Sequence, residues 1–307
     1  MGVLLTTAAI AISVAVGVWS ERRWPQGAAT ASRRALMLIL YVLVPPVVFF
    51  NLAVVEVDLD SGIGIVLGLV TVSLAAVLAW WVASRVLELP PHKTGAVICT
   101  VLAVNSAYLG YPLTIALLGR DELSTAVLYD ILVCAPALLL GAFAVGAAFG
   151  LRAGEGPRDR IRAFFTRNPP LYAALAALVA PEALAPDLAV DLSQGLIIAI
   201  LPIGFFAVGA TLAENAEHGE LPMPPPLTRP VVLAVVSRLV VAPGLLILLA
   251  APLVELPASY LLLAAMPTGL NSMVVAHAYG LDMEITAEAV TWSTAIVVAA
   301  ALLSLLL

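Results

Sequence analysis

The sequence predicts an all-α polytopic membrane protein: ten transmembrane helices forming two inverted five-helix repeats, with helices 4 and 9 broken near their middles. Three observations carry this expectation: an apolar composition, a one-sided distribution of basic residues, and a pair of helix-breaking motifs, one in each half. Of 307 residues, 62% are apolar and 11% charged, and the mean hydropathy is +1.08. In a soluble domain about a quarter of residues are charged.

Taken in order, stretches long enough to cross ~30 Å of hydrocarbon lie near 3–19, 35–54, 62–86, 94–118, 123–149, 169–185, 190–213, 229–252, 257–278 and 285–306. Residues 1–19 have no basic region before them and no small-residue cleavage site, so the reading is a first span rather than a cleaved signal peptide. The longest connections, 20–34, 151–168 and 214–228, are polar or rich in Pro and Gly and too short for a further domain. The expected organisation is therefore a first repeat over 1–150, a cytoplasmic linker over 151–168 and a second, inverted repeat over 169–307. Odd-numbered loops contain Arg22, Arg23, Arg33, Arg34, Arg85, Lys93, Arg152, Arg158, Arg160, Arg162, Arg167 and Arg229, whereas even-numbered loops contain only Arg120. Basic loops stay in the cytoplasm, which puts both termini outside. Five spans per half reverse the direction of the second half. Pro46-Val47-Val48-Phe49-Phe50 resembles Pro202-Ile203-Gly204-Phe205-Phe206 at an offset of 202 − 46 = 156, and the later breaks repeat it at 267 − 112 = 155.

Those breaks are Asn105-Ser106-Ala107-Tyr108-Leu109-Gly110-Tyr111-Pro112 in span 4 and Met266-Pro267-Thr268-Gly269-Leu270-Asn271 in span 9. A helix is interrupted inside a membrane only where protein or a water-lined cavity can satisfy its freed backbone groups, so paired breaks point to a transporter's substrate site. N–H groups of the following half-helix then face the gap and can receive an anion without a fixed cation. Gly110 and Gly269 admit close backbone approach, while Pro112 and Pro267 each remove an N–H. Asn105 and Asn271 add amides able to bind a carboxylate or replace lost backbone bonds. Ser106, Tyr108, Thr268 and Ser272 are candidate polar lining, although Ser and Thr also bond back to their own helices. The alternative reading is two proline kinks with locally bonded asparagines.

At these residues the sequence resembles the auxin efflux carrier family, which contains plant carriers and bacterial permeases assigned to malate and malonate. The resemblance rests on Asn105, Gly110 and Pro112 in order, on Pro267, Gly269, Tyr279 and Asp282, and on a basic residue five before a proline, Arg238 and Pro243. It covers nearly the whole chain. It implies a scaffold bundle and a transport bundle, spans 4 and 9 crossing at their breaks, elevator-like movement, and carboxylate substrates held near Asn105. The chain lacks the long central loop of the long plant carriers, and Asn271 places it nearer the bacterial branch, so auxin is not the expected substrate.

Ionisable groups within spans face cavities or partners, because exposing them to hydrocarbon is costly. Arg238 in span 8 either attracts an anion, stands in for a coupling cation, or caps the carbonyls of a broken helix. Asp130 in span 5 is a carboxylate suited to proton coupling or to pairing with Arg238, unless it lies shallow and faces water. His277 and Glu288 lie nearer the cytoplasmic ends of their spans. Cys99 and Cys134 fall in apolar stretches without ligand spacing and read as core thiols; no metal site and no cofactor are expected. Gly64-x-x-x-Gly68 is a close-packing motif, within the protomer or across a homodimer. Nothing resembles a nucleic-acid footprint, and H-E-x-x-H, G-x-S-x-G and a phosphate-cradling G-x-x-x-x-G-K are absent, which argues against an enzyme. The expected function is secondary transport of a small organic anion across the plasma membrane, with lipid as the surrounding partner and a proton or sodium gradient as candidate coupling. The rival expectations are a sodium-coupled carrier of the bile-acid symporter type and a ligand sensor retaining the carrier fold.

Overall fold

Long apolar runs interrupted by prolines give long helices with wide turns. The computed structural model describes residues 3–54, 59–151, 169–217 and 226–304. The basic run 158–167, with most of the expected linker, and the proline-rich segment 222–225 lie outside the described residues. In chain order the helices are α1 (Val3–Arg23), α2 (Pro25–Leu38), α3 (Val44–Ala53), α4 (Leu59–Trp81), α5 (Pro91–Leu102), α6 (Tyr111–Leu117), α7 (Leu123–Tyr129) and α8 (Phe143–Phe149). The second half contains α9 (Pro169–Val179), α10 (Asp187–Glu217), α11 (Arg229–Val236), α12 (Ala242–Ala250), α13 (Ala258–Ala264), α14 (Asn271–Tyr279) and α15 (Met283–Ser304). Among the described residues four continuous stretches are long and apolar enough to span a membrane: Ser61–Val86, Leu123–Phe149, Arg229–Ala250 and Met283–Ala301. The protein is a multi-pass, all-helical membrane protein.

Two of these stretches, Leu123–Phe149 and Arg229–Ala250, pass an internal proline just after a π turn. Proline lacks an N–H, and its ring collides with the carbonyl four residues back. Wide turns at Ile39–Leu43, Ser106–Gly110, Asp130–Cys134 and Ser237–Val241 each end two residues before a proline: Pro45, Pro112, Pro136 and Pro243. Such turns recur at functional sites. Here three of the four contain Ser106, Asp130 and Arg238.

The helices pack as two groups. In the first, α1, α2, α3, α9 and α10 lie against one another, and α1 crosses α10 at backbone contact. A Cβ on Gly17 would strike the Phe206 carbonyl, and one on Gly209 the Val14 carbonyl, so each helix presents a glycine to the other's backbone. The second group joins α4 to α8 with α11 to α15. Between the groups, α3 meets α7, and α10 passes along the Ser106–Gly110 turn and α6. Large apolar side chains such as Val66, Val77, Val240 and Leu248 remain exposed on the spanning helices, as lipid contact requires. Gly64 faces Tyr260 and Leu256, and Gly68 faces the Tyr129 ring, so this glycine pair packs inside the protomer.

Candidate functional site at the crossing of two broken helices

The second group brings the two interrupted helices together. α5 ends at Leu102, α13 ends at Ala264, and the chains beyond them pair antiparallel at Val104 and Thr268. The Asn105 N–H donates to the Pro267 carbonyl at 2.9 Å, and the Gly269 N–H donates to the Ala103 carbonyl at 2.8 Å. Each broken helix thus satisfies backbone groups of the other, which is how unwound chain persists away from water. Gly269 is required here, because a Cβ would stand 2.8 Å from the Val104 carbonyl oxygen and 3.0 Å from its carbon. Gly110 is less constrained: its nearest neighbour would be the flexible Met266 side chain at 3.3 Å. Pro112 lies in the first turn of α6, two residues after the Ser106–Gly110 wide turn that accommodates it.

Arg238 is buried with 1% exposure and binds both half-helix C-termini. Its Nε donates to the Met266 carbonyl at 2.9 Å, Nη1 to the Val101 carbonyl at 3.1 Å, and Nη2 to the Ala264 carbonyl. Two helix C-termini carry roughly half a negative charge each, so together they offset one guanidinium. Among the described residues no ion pair joins Arg238 to Asp130. A cavity of about 10 Å³ beside Arg238, lined also by Thr71, Tyr129 and Cys134, has room for about one water.

Asp130 is instead held by the span 4 break. Ser106 Oγ donates to Oδ1 at 2.5 Å and Tyr111 OH to Oδ2 at 2.6 Å. Both donors flank the π turn, so the carboxylate fixes the conformation of the break. Thr268 is held by span 10 and span 4: its N–H donates to Ser293 Oγ at 3.1 Å and its hydroxyl to the Thr100 carbonyl at 2.9 Å. Ser272 is fully buried and bonds back to the Gly269 carbonyl at 2.8 Å. Tyr108, half-buried, lies beside Gly204 of α10 at the boundary between the groups. Asn271 is exposed at the start of α14.

Asn105 differs from its neighbours. It is 4% exposed, and its Oδ1 has no hydrogen-bond partner among the described residues. Neither the turn that begins at Ser106 nor α14 has a side-chain cap on its N-terminus. The crossing therefore combines neutralised C-termini, uncapped N-termini and an unpartnered amide oxygen.

A family model described as membrane transport protein matches residues 3–146 and 163–305. The chain belongs to this family. It is the auxin efflux carrier family that the three motifs resemble. An uncharacterized transporter of Methanocaldococcus jannaschii is 25% identical over 103 residues, 34% of this chain and 32% of that relative. The match thus spans about a third of the relative's length.

Within this membrane transport protein each family motif has a structural reason. Tyr279 lies edge-on to Phe143 at 6.1 Å and covers Gly146, while Asp282 Oδ1 accepts the Ile285 N–H at 2.9 Å and so caps α15. The partly exposed Lys93 reaches the half-buried Asp282 at 3.6 Å. Pro243 accompanies the wide turn that carries Arg238. Sequence reasoning missed Ser293 and Thr100, because isolated hydroxyl residues in apolar helices carry no pattern. It also missed Asn51, whose only signal was an amide inside an apolar span.

Proposed function

We propose that this membrane transport protein is a secondary active carrier of small organic anions, carboxylates above all, working in the plasma membrane by elevator-like alternating access with both termini outside. The observation that carries the reading is the antiparallel pairing of two broken helices around Asn105, whose amide is buried without a full set of partners. Arg238 offsets the two C-termini, which leaves the positive ends of the second half-helices uncompensated and favours one carboxylate. Asn105, with Ser106, Tyr108 and Asn271 near the breaks, lines the substrate path; Gly110, Pro112, Pro267, Gly269 and Ser272 shape it. Asp130 and Arg238 set its charge, and Asp130 is the group placed to couple a proton. The two packed groups act as scaffold (α1–α3, α9, α10) and transport bundle, and the two halves are inverted repeats. The motif resemblance favours malate- and malonate-sized acids.

The test is counterflow of labelled malate or malonate in proteoliposomes. Accumulation that Asn105→Ala abolishes supports the assignment, and its absence for every carboxylate in both variants contradicts it. A second reading has one observation in its favour: the unpartnered Asn105 Oδ1 is an acceptor, suited to a cation as well as to a donor. Sodium-dependent uptake with no response to a proton gradient would favour that sodium-coupled reading.

A further inference from the structure

One residue joins the two helix groups through a saturated polar network. Asn51, on α3, is fully buried. Its Nδ2 donates to the Val47 carbonyl at 2.8 Å and to Ser193 Oγ at 3.1 Å; its Oδ1 accepts from Gln194 Nε2 at 3.2 Å and from Ser124 Oγ at 3.3 Å. These four bonds use the whole hydrogen-bonding capacity of the amide. Val47, Ser193 and Gln194 belong to α3 and α10, in the same group as Asn51. Ser124 belongs to α7, in the other.

The network lies at one end of the molecule. The connections beside Ser124 and Ser193, residues 118–122 and 180–186, are even-numbered loops in which Arg120 is the one basic residue. Arg34, of α2, lies on the same continuous helical stretch 17 residues before Asn51, about 25 Å away at 1.5 Å per residue. There an open cavity of about 630 Å³ is lined by Thr30, Arg34 and Leu38 of α2 and by Ile203 of α10, next to the Gly204 that faces Tyr108. That cavity is walled by helices of the first group alone, whereas at the other end Asn51 bonds across to the second group.

We propose that Asn51 and Ser124 form a breakable latch between the two groups, which holds the outer end closed and opens when the groups move. It rests on the alternating-access reading but not on the identity of the substrate. The bond is suited to exchange because breaking it strands nothing. Asn51 keeps three partners within its own group, and Ser124, half-buried in the first turn of α7, can turn its hydroxyl to water. Arg238 shows the opposite arrangement, with three bonds inside one group that no relative movement of the groups would break.

The test is thiol accessibility, which needs no substrate. Val48 is fully buried one turn before Asn51. A Val48→Cys variant, in a background with Cys99 and Cys134 replaced by Ala, is labelled with a membrane-impermeant maleimide in right-side-out and inside-out vesicles. Ser124→Ala should raise the labelling rate about fivefold, the population shift expected from losing one hydrogen bond of net worth about 1 kcal/mol. Ser124→Thr, which keeps the hydroxyl, should restore the slow rate. The rise is expected from the outer face; a rise from either face supports the latch, and the face that shows it reports orientation separately. Unchanged labelling in Ser124→Ala, or equal acceleration by Ala and Thr, overturns the proposal. To separate opening from misfolding, Cys134 is kept alone in a Ser124→Ala, Cys99→Ala chain: it must remain unlabelled, and its labelling also overturns the proposal.

Discussion

At Gly269 a single missing Cβ allows the crossing to form. Adding one would press on the Val104 carbonyl from 2.8 Å, a contact with backbone that no rotamer relieves. Gly269→Ala should therefore lower stability by about 1–3 kcal/mol, the range for overpacking, and a melting curve in detergent measures it. Arg238→Lys should also destabilise, despite preserving charge. An ammonium lacks the planar fork that reaches Met266, Val101 and Ala264 together, and leaving one buried carbonyl unpaired costs about 1–3 kcal/mol. Asp130→Asn replaces one acceptor with a donor, so either Ser106 or Tyr111 can no longer donate to it and must turn to accept, and counterflow should fall more than the melting temperature does. Of these residues, Gly269 and Asn105 were legible because a break inside an apolar run is visible in sequence. Arg238 was legible as an anomaly, but not its choice of partners: the carbonyls it caps lie 26 to 137 positions away and are encoded by no side chain. Asp130 was likewise visible, whereas its bonds to Ser106 and Tyr111 depend on how α7 packs against the break.

Among helices, the packing of α1 on α10 rests on small residues rather than on apolar area, since lipid competes equally well for apolar surface. Gly209→Leu should separate the pair, and size-exclusion profiles in detergent should show loss of the monodisperse peak. Proline was the element-scale signal that sequence conveyed best and least completely. The two breaks were placed at 105–112 and 266–271, and the structure pairs their backbones. That Pro45, Pro136 and Pro243 would produce wide turns instead of kinks was not visible, because the choice depends on whether neighbouring helices leave room for an extra residue per turn. The spacing of Arg238 and Pro243 acquires its reason from such a turn: Ser237–Val241 rotates the guanidinium toward both C-termini.

For the whole molecule, hydropathy and charge established a polytopic membrane protein, and four continuous spans stand out by length and composition. The broken segments escape such a criterion because each is divided into pieces of 7 to 12 residues. The division into two packed groups had no local signature in sequence; it emerges from which helices touch, and Asn51 is the polar contact that reveals the boundary. The basic-loop count makes a separate prediction. In a background without Cys99 and Cys134, a cysteine at Arg120 should react with impermeant maleimide from outside the cell and one at Arg85 only from inside, both positions being exposed. The reverse pattern would invert the orientation without touching the crossing.

The proposed carboxylate site at the crossing of the broken helices is built around Asn105. The most direct measurement is the thermal stability of the purified protein against a panel of mono- and dicarboxylates, with and without sodium, in parent and Asn105→Ala. Ligand at a hundred times its dissociation constant should stabilise the fold by about 2.7 kcal/mol. Stabilisation of the parent by at least one carboxylate, and none of Asn105→Ala, is the expected result. Stabilisation by sodium or a neutral ligand alone, or an equal shift in both proteins, would contradict it.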